Sequence, residues 1–323
     1  MVLVTGATGF LGSELVRQLL QKGGKIRALK RDSSVIPHVL ENEELIEWVN
    51  ADLLDYFSLN DAIKGITKVY HCAALISFLP KDKKQMIKVN VEGTINLLNV
   101  CVAGDIEKFL HVSSVAAVGE SKKGELINEK HQWELGAGQS NYSISKYESE
   151  MEVFRAAEEG LNTVIVNPSI IIGKNAGDKG SGQLFDTAKK GLSYYPDGSF
   201  GYVDVQDVAS IMISLMESEF ANQRFIISAE NWTHRDLFGE IAMQLGNNPP
   251  QIALKPWMLD MARIGSGILS FLTGKSSNLS RETVRSAFKK QNYSNEKIKR
   301  ALNLEFRPIK ESIAEICKNY NTK

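Results

Sequence analysis

Val2-Leu3-Val4-Thr5-Gly6-Ala7-Thr8-Gly9-Phe10-Leu11-Gly12 runs from a short apolar, β-branched segment through a turn with glycines at 6, 9 and 12. It continues into apolar residues at three- and four-residue spacing over 10–21, so it reads as strand, tight turn and helix. Glycines there allow the turn to close and let backbone approach a pyrophosphate. The helix N-terminus adds unsatisfied N–H groups and about half a positive charge. The placement predicts a dinucleotide-binding turn formed by Gly6, Thr8, Gly9, Phe10, Leu11 and Gly12.

Outward from this turn the rhythm repeats. Apolar runs at 2–5, 25–29, 45–49, 68–72, 108–113 and 163–167 read as buried strands, and helical patterns occupy 10–21, 59–64, 84–103 and 143–159. Alternation of this kind predicts an α/β fold, a doubly wound parallel-sheet Rossmann domain with a smaller C-terminal substrate-binding part. The expected division is 1–167 for the nucleotide domain, with 202–219 returning to it, and 168–201 together with 220–323 for the substrate-binding part. The glycine-rich 173–201 reads as a mobile connection rather than another βα unit.

Composition narrows the partners. Lys plus Arg and Asp plus Glu both number 38 among 323 residues, so the balanced charge provides no long-range field for nucleic acid or an anionic membrane. Cys72, Cys101 and Cys317 are widely spaced, without a metal-ligand or disulfide pattern, and no metal is expected. The N-terminus lacks the basic flank and apolar core of a signal peptide. The most lipid-like stretch, 256–272, carries Asp260 and Arg263 and reads as an amphipathic helix without stable membrane insertion. These features predict a cytoplasmic protein acting on a small-molecule substrate.

The second strand ends in Leu29-Lys30-Arg31-Asp32, placing Lys30 and Arg31 where an acidic residue would bind the adenosine ribose hydroxyls. Two cations there favour a 2′-phosphate, hence NADP over NAD, although Asp32 could pair with Arg31 or reach the ribose itself. After the third strand, Asp52 can accept the adenine amino group and Leu53 can pack on the ring, while Asp55 suits a helix N-cap. Ala73 and Ala74 end the fourth strand with side chains small enough for a cofactor to lie against. His71 reads as a core histidine.

Tyr142-Ser143-Ile144-Ser145-Lys146 puts a phenol and an ammonium at i and i+4, on one helix face. Tyrosine is a poor acid–base group near neutrality unless a nearby cation favours phenolate, and Lys146 is positioned to supply one. Ser113-Ser114, at the tip of the preceding strand, can provide a hydroxyl for a substrate oxygen.

With these residues in view the chain resembles an extended short-chain dehydrogenase/reductase of the NAD-dependent epimerase/dehydratase superfamily. Within it, the similarity is to the dihydroflavonol reductase and 3β-hydroxysteroid dehydrogenase branch. It is carried by 5–12, 26–31, 51–53, 71–74, Val89-Asn90-Val91-Glu92-Gly93-Thr94, 112–114, 142–146 and Val166-Asn167-Pro168-Ser169-Ile170. The resemblance implies that Ser114 polarises a substrate carbonyl, Tyr142 is the acid–base, and Lys146 binds the nicotinamide ribose and lowers the tyrosine pKa. It also implies that Asn90 belongs to the cofactor site and that Pro168, Ser169, Ile170 and Ile171 line the nicotinamide. Gly119, five residues beyond, selects Ser114 over Ser113. Asn167 departs from the arginine usual before this proline. Family habit further implies a homodimer through a four-helix interface of 84–103 and 143–159.

The expected activity is NADP(H)-dependent reduction of a carbonyl or oxidation of a secondary alcohol. A nucleotide-sugar epimerase or dehydratase retaining NAD and a non-catalytic dinucleotide-binding protein are the alternatives. Leu75, Ile76, Phe78 and Leu79 after the fourth strand, with Tyr194, Tyr195 and Phe200 in the glycine-rich segment, argue for a mainly apolar substrate.

Overall fold

The computed structural model of the chain describes residues 1–77, 79–121, 124–134, 139–177, 180–258, 261 and 286–321. Its first half runs β1 (Val2–Thr5), α1 (Phe10–Gln21), β2 (Ile26–Lys30), β3 (Ile46–Asn50), α2 (Tyr56–Ala62), β4 (Lys68–His71), α3 (Lys83–Ile87), α4 (Gly93–Ala103), β5 (Lys108–Val112), β6 (Leu126–Ile127), α5 (Asn141–Glu158) and β7 (Thr163–Pro168). The second half continues with β8 (Ile170–Ile172), α6 (Gly182–Lys189), β9 (Tyr194–Pro196), β10 (Ser199–Asp204), α7 (Val205–Glu217), β11 (Gln223–Ile227), β12 (Glu230–Thr233), α8 (His234–Gln244), β13 (Ile252–Leu254), β14 (Asn292–Tyr293), α9 (Glu296–Leu302) and α10 (Ile309–Asn321).

Seven strands form one parallel sheet in the order β11-β7-β5-β4-β1-β2-β3. Their alternate side chains feed two cores, as a sheet covered on both faces requires. Val4, Leu110, Val164 and Val166 pack with α1 and α7. Leu3, Phe109 and Ile165 pack with α2, α4 and α5 on the other face. The strand order reverses between β1 and β4, with Thr5 in register with His71, and that switch point opens a crevice at the strand tips. Directly after β7 the chain leaves this sheet: β8 joins β10 and β12 in a three-stranded sheet, over a third core shared with α6, α8 and α10.

Three features differ from the sequence reading. The 220–323 segment does not lie wholly apart from the nucleotide domain, because β11 pairs with β7 from Gln223↔Val164 to Ile227↔Pro168 and forms the sheet edge. The 173–201 segment is not a bare connection, since it holds α6, β9 and the start of β10. The helix expected over 84–103 is divided by a π-helical turn at Lys88–Glu92, which widens around Asn90. Among the described residues no helix is long and apolar enough to cross a membrane; most of 256–272 lies outside them.

Candidate active site

At the β1 tip the glycines are demanded by contact. Gly6 has φ +66°, and a Cβ there would stand 2.7 Å from Ala73 N; a Cβ on Gly12 would meet the Gly6 carbonyl oxygen at 2.1 Å. The turn is thus folded tightly against both its own helix and the β4 tip. Gly9 N donates to Gly6 O at 2.9 Å, and Gly9 caps α1 without any side-chain hydrogen bond. Backbone donors of the first helical turn therefore have no capping side chain, which fits an anionic pyrophosphate. Thr8 is half-buried and the Phe10 ring approaches Gly173, whereas the Leu11 side chain belongs to the core under α1.

Lys30 and Arg31 separate in role. Lys30 Nζ donates to Asn50 Oδ1 at 2.7 Å, while Arg31 is exposed. Among the described residues neither the Arg31 nor the Asp32 side chain has a hydrogen bond or ion pair, so of the two roles open to Asp32 the pairing with Arg31 is not made there. Asp52 Oδ1 accepts from Leu54 N at 2.9 Å and the residue stays exposed. Leu53 packs where a Cβ on Gly93 would come within 2.9 Å, and Asp55 caps α2 through Phe57 N and Ser58 N.

A directional hydrogen-bond chain joins the strand tips to the helices behind them. Thr94 Oγ1 donates to Asn90 O at 2.6 Å, so its oxygen accepts from His71 Nε2 at 3.0 Å. His71 Nδ1 then accepts from Thr5 Oγ1 at 2.7 Å, and Thr5 Oγ1 in turn accepts Ala73 N–H at 3.2 Å. Only neutral, Nε2-protonated imidazole satisfies every link, and burial with the nearby Lys146 charge pushes the His71 pKa down to about 3. Asn90 is buried; its Oδ1 accepts from Leu75 N at 2.7 Å, and its Nδ2 donates to Leu75 O and Ser145 Oγ. It clamps the loop after β4 to α5, a role that its placement in the cofactor set did not foresee.

Ser140 opens α5 by accepting Ser143 N–H at 3.0 Å, which leaves Tyr142 in the first helical turn. The Tyr142 hydroxyl bonds Ser114; burial pushes the phenol up to about 12, and the Ser114 bond opposes that rise. Ser114 also accepts from Ala116 N, which orients it at the β5 tip. Lys146 is buried one turn after Tyr142, and its Nζ donates to Val112 O at 2.8 Å. Burial lowers its pKa to about 8, against the opposing influence of Cys72 and Glu150. Burial and Ser114, rather than Lys146, account for the state of Tyr142 in this arrangement.

Sequence reasoning missed Glu150. It is fully buried on the same face of α5 and accepts from Ser113 Oγ at 2.7 Å, Asn167 Nδ2 at 2.9 Å and Arg224 Nη1 at 3.1 Å. The i+4 spacing from Lys146 was its available signal. Asn167 also donates to Ser114 O at 3.0 Å, so the residue replacing the usual arginine bridges the carboxylate to the serine backbone. Pro168 closes β7, Ser169 is turned to Ile227 O, and Ile170 and Ile171 stand half-buried where β8 begins.

The apolar residues nominated for a substrate do not all converge here. Phe200 is packed edge-on against Tyr293, Tyr195 lies under Arg235, and Tyr194 is exposed in β9. Leu75 and Ile76 stay beside the β4 tip, Ile76 being 62% exposed, and Phe78 lies outside the described residues. Two open clefts of about 360 and 220 Å³ include none of Ser114, Tyr142 or Lys146. Chemistry rather than cavity size locates this site.

Residues 2–228 match the model of the NAD dependent epimerase/dehydratase family. The chain is similar to sterol demethylase protein B of Methylococcus capsulatus, 30% identical over 261 residues, which cover 80% of this chain and 78% of that protein. It is similar to dihydroflavonol 4-reductase of Arabidopsis thaliana, 29% identical over 252 residues, with 72% and 66% covered. Its fold superposes on the crystal structure of gox2253 with a TM-score of 0.84 at 30% identity, covering 100% of this chain and 98% of that one.

Proposed function

The chain belongs to the NAD dependent epimerase/dehydratase family and is an NAD(P)-dependent oxidoreductase of the extended short-chain dehydrogenase/reductase type, and from that premise we propose that it reduces a carbonyl, or oxidises the matching secondary alcohol, on a mainly apolar substrate with NADP(H). The observation that carries this reading is the Tyr142 hydroxyl bonded to Ser114 at the start of α5, with Lys146 one turn behind.

The cradle at Gly6, Gly9 and Gly12 fits a nicotinamide dinucleotide, whose bound nicotinamide would supply or accept the hydride. The chain's own residues handle the oxygen and the proton. Ser114 donates to the substrate oxygen, and Tyr142, kept protonated near neutrality by burial, delivers a proton as that oxygen becomes an alkoxide. Lys146, whose Nζ is held on the Val112 carbonyl, would hold the nicotinamide ribose and would keep an ammonium one helical turn from Tyr142. Position in the first turn of α5 also favours negative charge on the phenol as it gives up its proton. Ala73, Ala74 and 168–171 form the walls, with Asn90 fixing the loop after β4.

The Arg31 side chain, exposed and without a hydrogen bond or ion pair among the described residues, supports NADP(H). Leu75 and Ile76 at the β4 tip, and the ring systems named for the sterol and dihydroflavonol relatives, support an apolar substrate. Screening aromatic and alicyclic ketones with NADPH, alongside uridine- and thymidine-diphosphate sugars, tests the reading. The expected result is ketone-dependent loss of nicotinamide absorbance. Conversion of a nucleotide sugar with no net absorbance change, and of no ketone, would replace it with an epimerase or dehydratase.

A further inference from the structure

We propose that Glu150 and Arg224 are a positioning pair for the catalytic face of α5: the Glu150 carboxylate is the buried counter-ion of Lys146, and Arg224 holds that carboxylate in place. The proposal rests on the role given to Lys146 above and adds two residues to it.

The geometry begins with helical spacing. Tyr142, Lys146 and Glu150 stand at i, i+4 and i+8, along one face of α5. A carboxylate with no exposure is costly unless its oxygens are satisfied. Three adjacent strands supply the donors: Ser113 follows β5, Asn167 lies in β7 and Arg224 lies in β11. Asn167 spends its second amide hydrogen on Ser114 O, which ties the carboxylate to the residue bonded to Tyr142.

Arg224 reaches further. Its Nε and Nη2 donate to Glu129 O at 3.0 and 2.7 Å, and Nη2 also donates to His131 O at 3.0 Å. In the same loop Trp133 stacks on Tyr147 at 4.1 Å between ring centroids, and Tyr147 directly follows Lys146. The guanidinium therefore ties Glu150 to the loop that packs over α5.

The charge argument follows from what surrounds Lys146. Tyr142 and Glu150 share its helix, His71 and Cys72 come from the β4 tip, and His111 comes from β5. Burial keeps the Cys72 thiol protonated, with its pKa up to about 12, and holds His71 and His111 neutral. Tyr142 is likewise protonated. Among these groups Glu150, in its ion pair with Arg224, is the anion available to the ammonium.

Wild type, Glu150→Gln, Arg224→Gln and the double variant are compared by calorimetric titration of NADPH and of NADH over roughly pH 6 to 10, with thermal midpoints measured alongside. Nucleotide affinity is expected to fall at alkaline pH as Lys146 deprotonates, and in Glu150→Gln that fall moves down by about one pH unit. Arg224→Gln, which leaves a buried carboxylate without its cation, lowers the thermal midpoint most. The double variant recovers thermal stability because neither charge is left unpaired, yet keeps the shifted profile. Superimposable profiles in all four proteins, or a double variant that recovers profile and stability together, would overturn the proposal and leave the pair a purely structural one. If wild type binds neither nucleotide, the cofactor reading fails instead. The pair is then tested in the ligand-free protein by the pH dependence of the Lys146 Cε chemical shift in isotopically lysine-labelled protein, assigned by difference from Lys146→Met, a readout that the burial of Lys146 does not block. A lower midpoint in Glu150→Gln supports the counter-ion role, and an unchanged midpoint overturns it.

Discussion

The two ends of the cleft are built in opposite ways. Around β1 and β2 polar groups are left available: α1 has no side-chain cap, and the exposed Arg31 side chain has no hydrogen bond or ion pair among the described residues. Around β5, β7 and α5 they are engaged, with Tyr142 on Ser114, Lys146 on the Val112 carbonyl, and Glu150 on Ser113, Asn167 and Arg224. An open end can recognise an anion without first breaking protein contacts. An engaged end holds its reacting groups in register, at the cost of exchanging one bond when a ligand arrives. The Thr5–His71–Thr94–Asn90 chain joins the two ends.

If the engaged end is where chemistry occurs, Tyr142→Phe separates the ends most sharply. Turnover is expected to fall by about 10²–10⁴, the usual contribution of a positioned acid–base and equivalent to roughly 2.7–5.5 kcal/mol of barrier. Nucleotide affinity should stay near that of wild type, since the hydroxyl removed belongs to the other end. Steady-state kinetics on the ketone identified by screening, with nucleotide titration beside it, checks both halves. Retained turnover would remove Tyr142 from the chemistry.

The connecting chain predicts an acid-dependent loss of stability. In the fold His71 has a pKa near 3, against 6.5 when unperturbed. Between these values the unfolded state binds the proton and the native state does not, so stability falls as pH falls. The contribution is complete above about pH 6.5 and is lost at roughly 1.4 kcal/mol per pH unit below it. About 2 kcal/mol should therefore disappear between pH 7 and pH 5. Urea unfolding of wild type and His71→Asn at both pH values measures it, and the variant should show the shallower dependence. Equal slopes would mean that His71 is protonated in the fold, contrary to its hydrogen bonds.

At the open end Arg31→Ala should reduce the preference for NADPH over NADH by about tenfold to a hundredfold, from the loss of a charge-assisted hydrogen bond of roughly 1.5–3 kcal/mol. Affinity for NADH should change little. Titration of both nucleotides into both proteins decides it, and equal affinities in wild type would end the NADP assignment.

How far the sequence could be read follows from how local each feature is. The glycine turn lies within seven residues and Tyr142 and Lys146 within five, so spacing alone places their backbones. Glu150 obeys the same helical spacing, but Glu148, Glu152, Glu158 and Glu159 share its segment and make it read as one more solvated acid. Its partners lie 37, 17 and 74 residues away, and only the strand order brings them together. The same limit applies to β11, a recognisable strand whose place beside β7 is a matter of topology. Asn167 stood out as a departure from the usual arginine, but its bridge between Ser114 and Glu150 needed two strand ends and a helix brought together in space. In 173–201 the glycines concealed an eight-residue helix, α6, whose Phe185 and Ala188 are buried in the third core.

Lys30 gives the smallest effect and the finest test of the contrast. The sequence pairs it with Arg31 as a second phosphate-binding cation, yet its Nζ is already on Asn50 Oδ1 at 2.7 Å across the β2–β3 pair. To reach a 2′-phosphate it must release that bond, so most of what it gains is offset by what it gives up. Longer-range attraction to the phosphate remains, but at an exposed position it is screened by water and salt. Lys30→Ala should therefore weaken NADPH by no more than the ~0.2–1 kcal/mol typical of an exposed charge pair, well short of Arg31→Ala. Titration at two salt concentrations checks this: the residual effect should shrink as salt rises. A Lys30 effect as large as that of Arg31 would mean that the Asn50 bond gives way on binding, and that the open end of the cleft rearranges to receive its ligand.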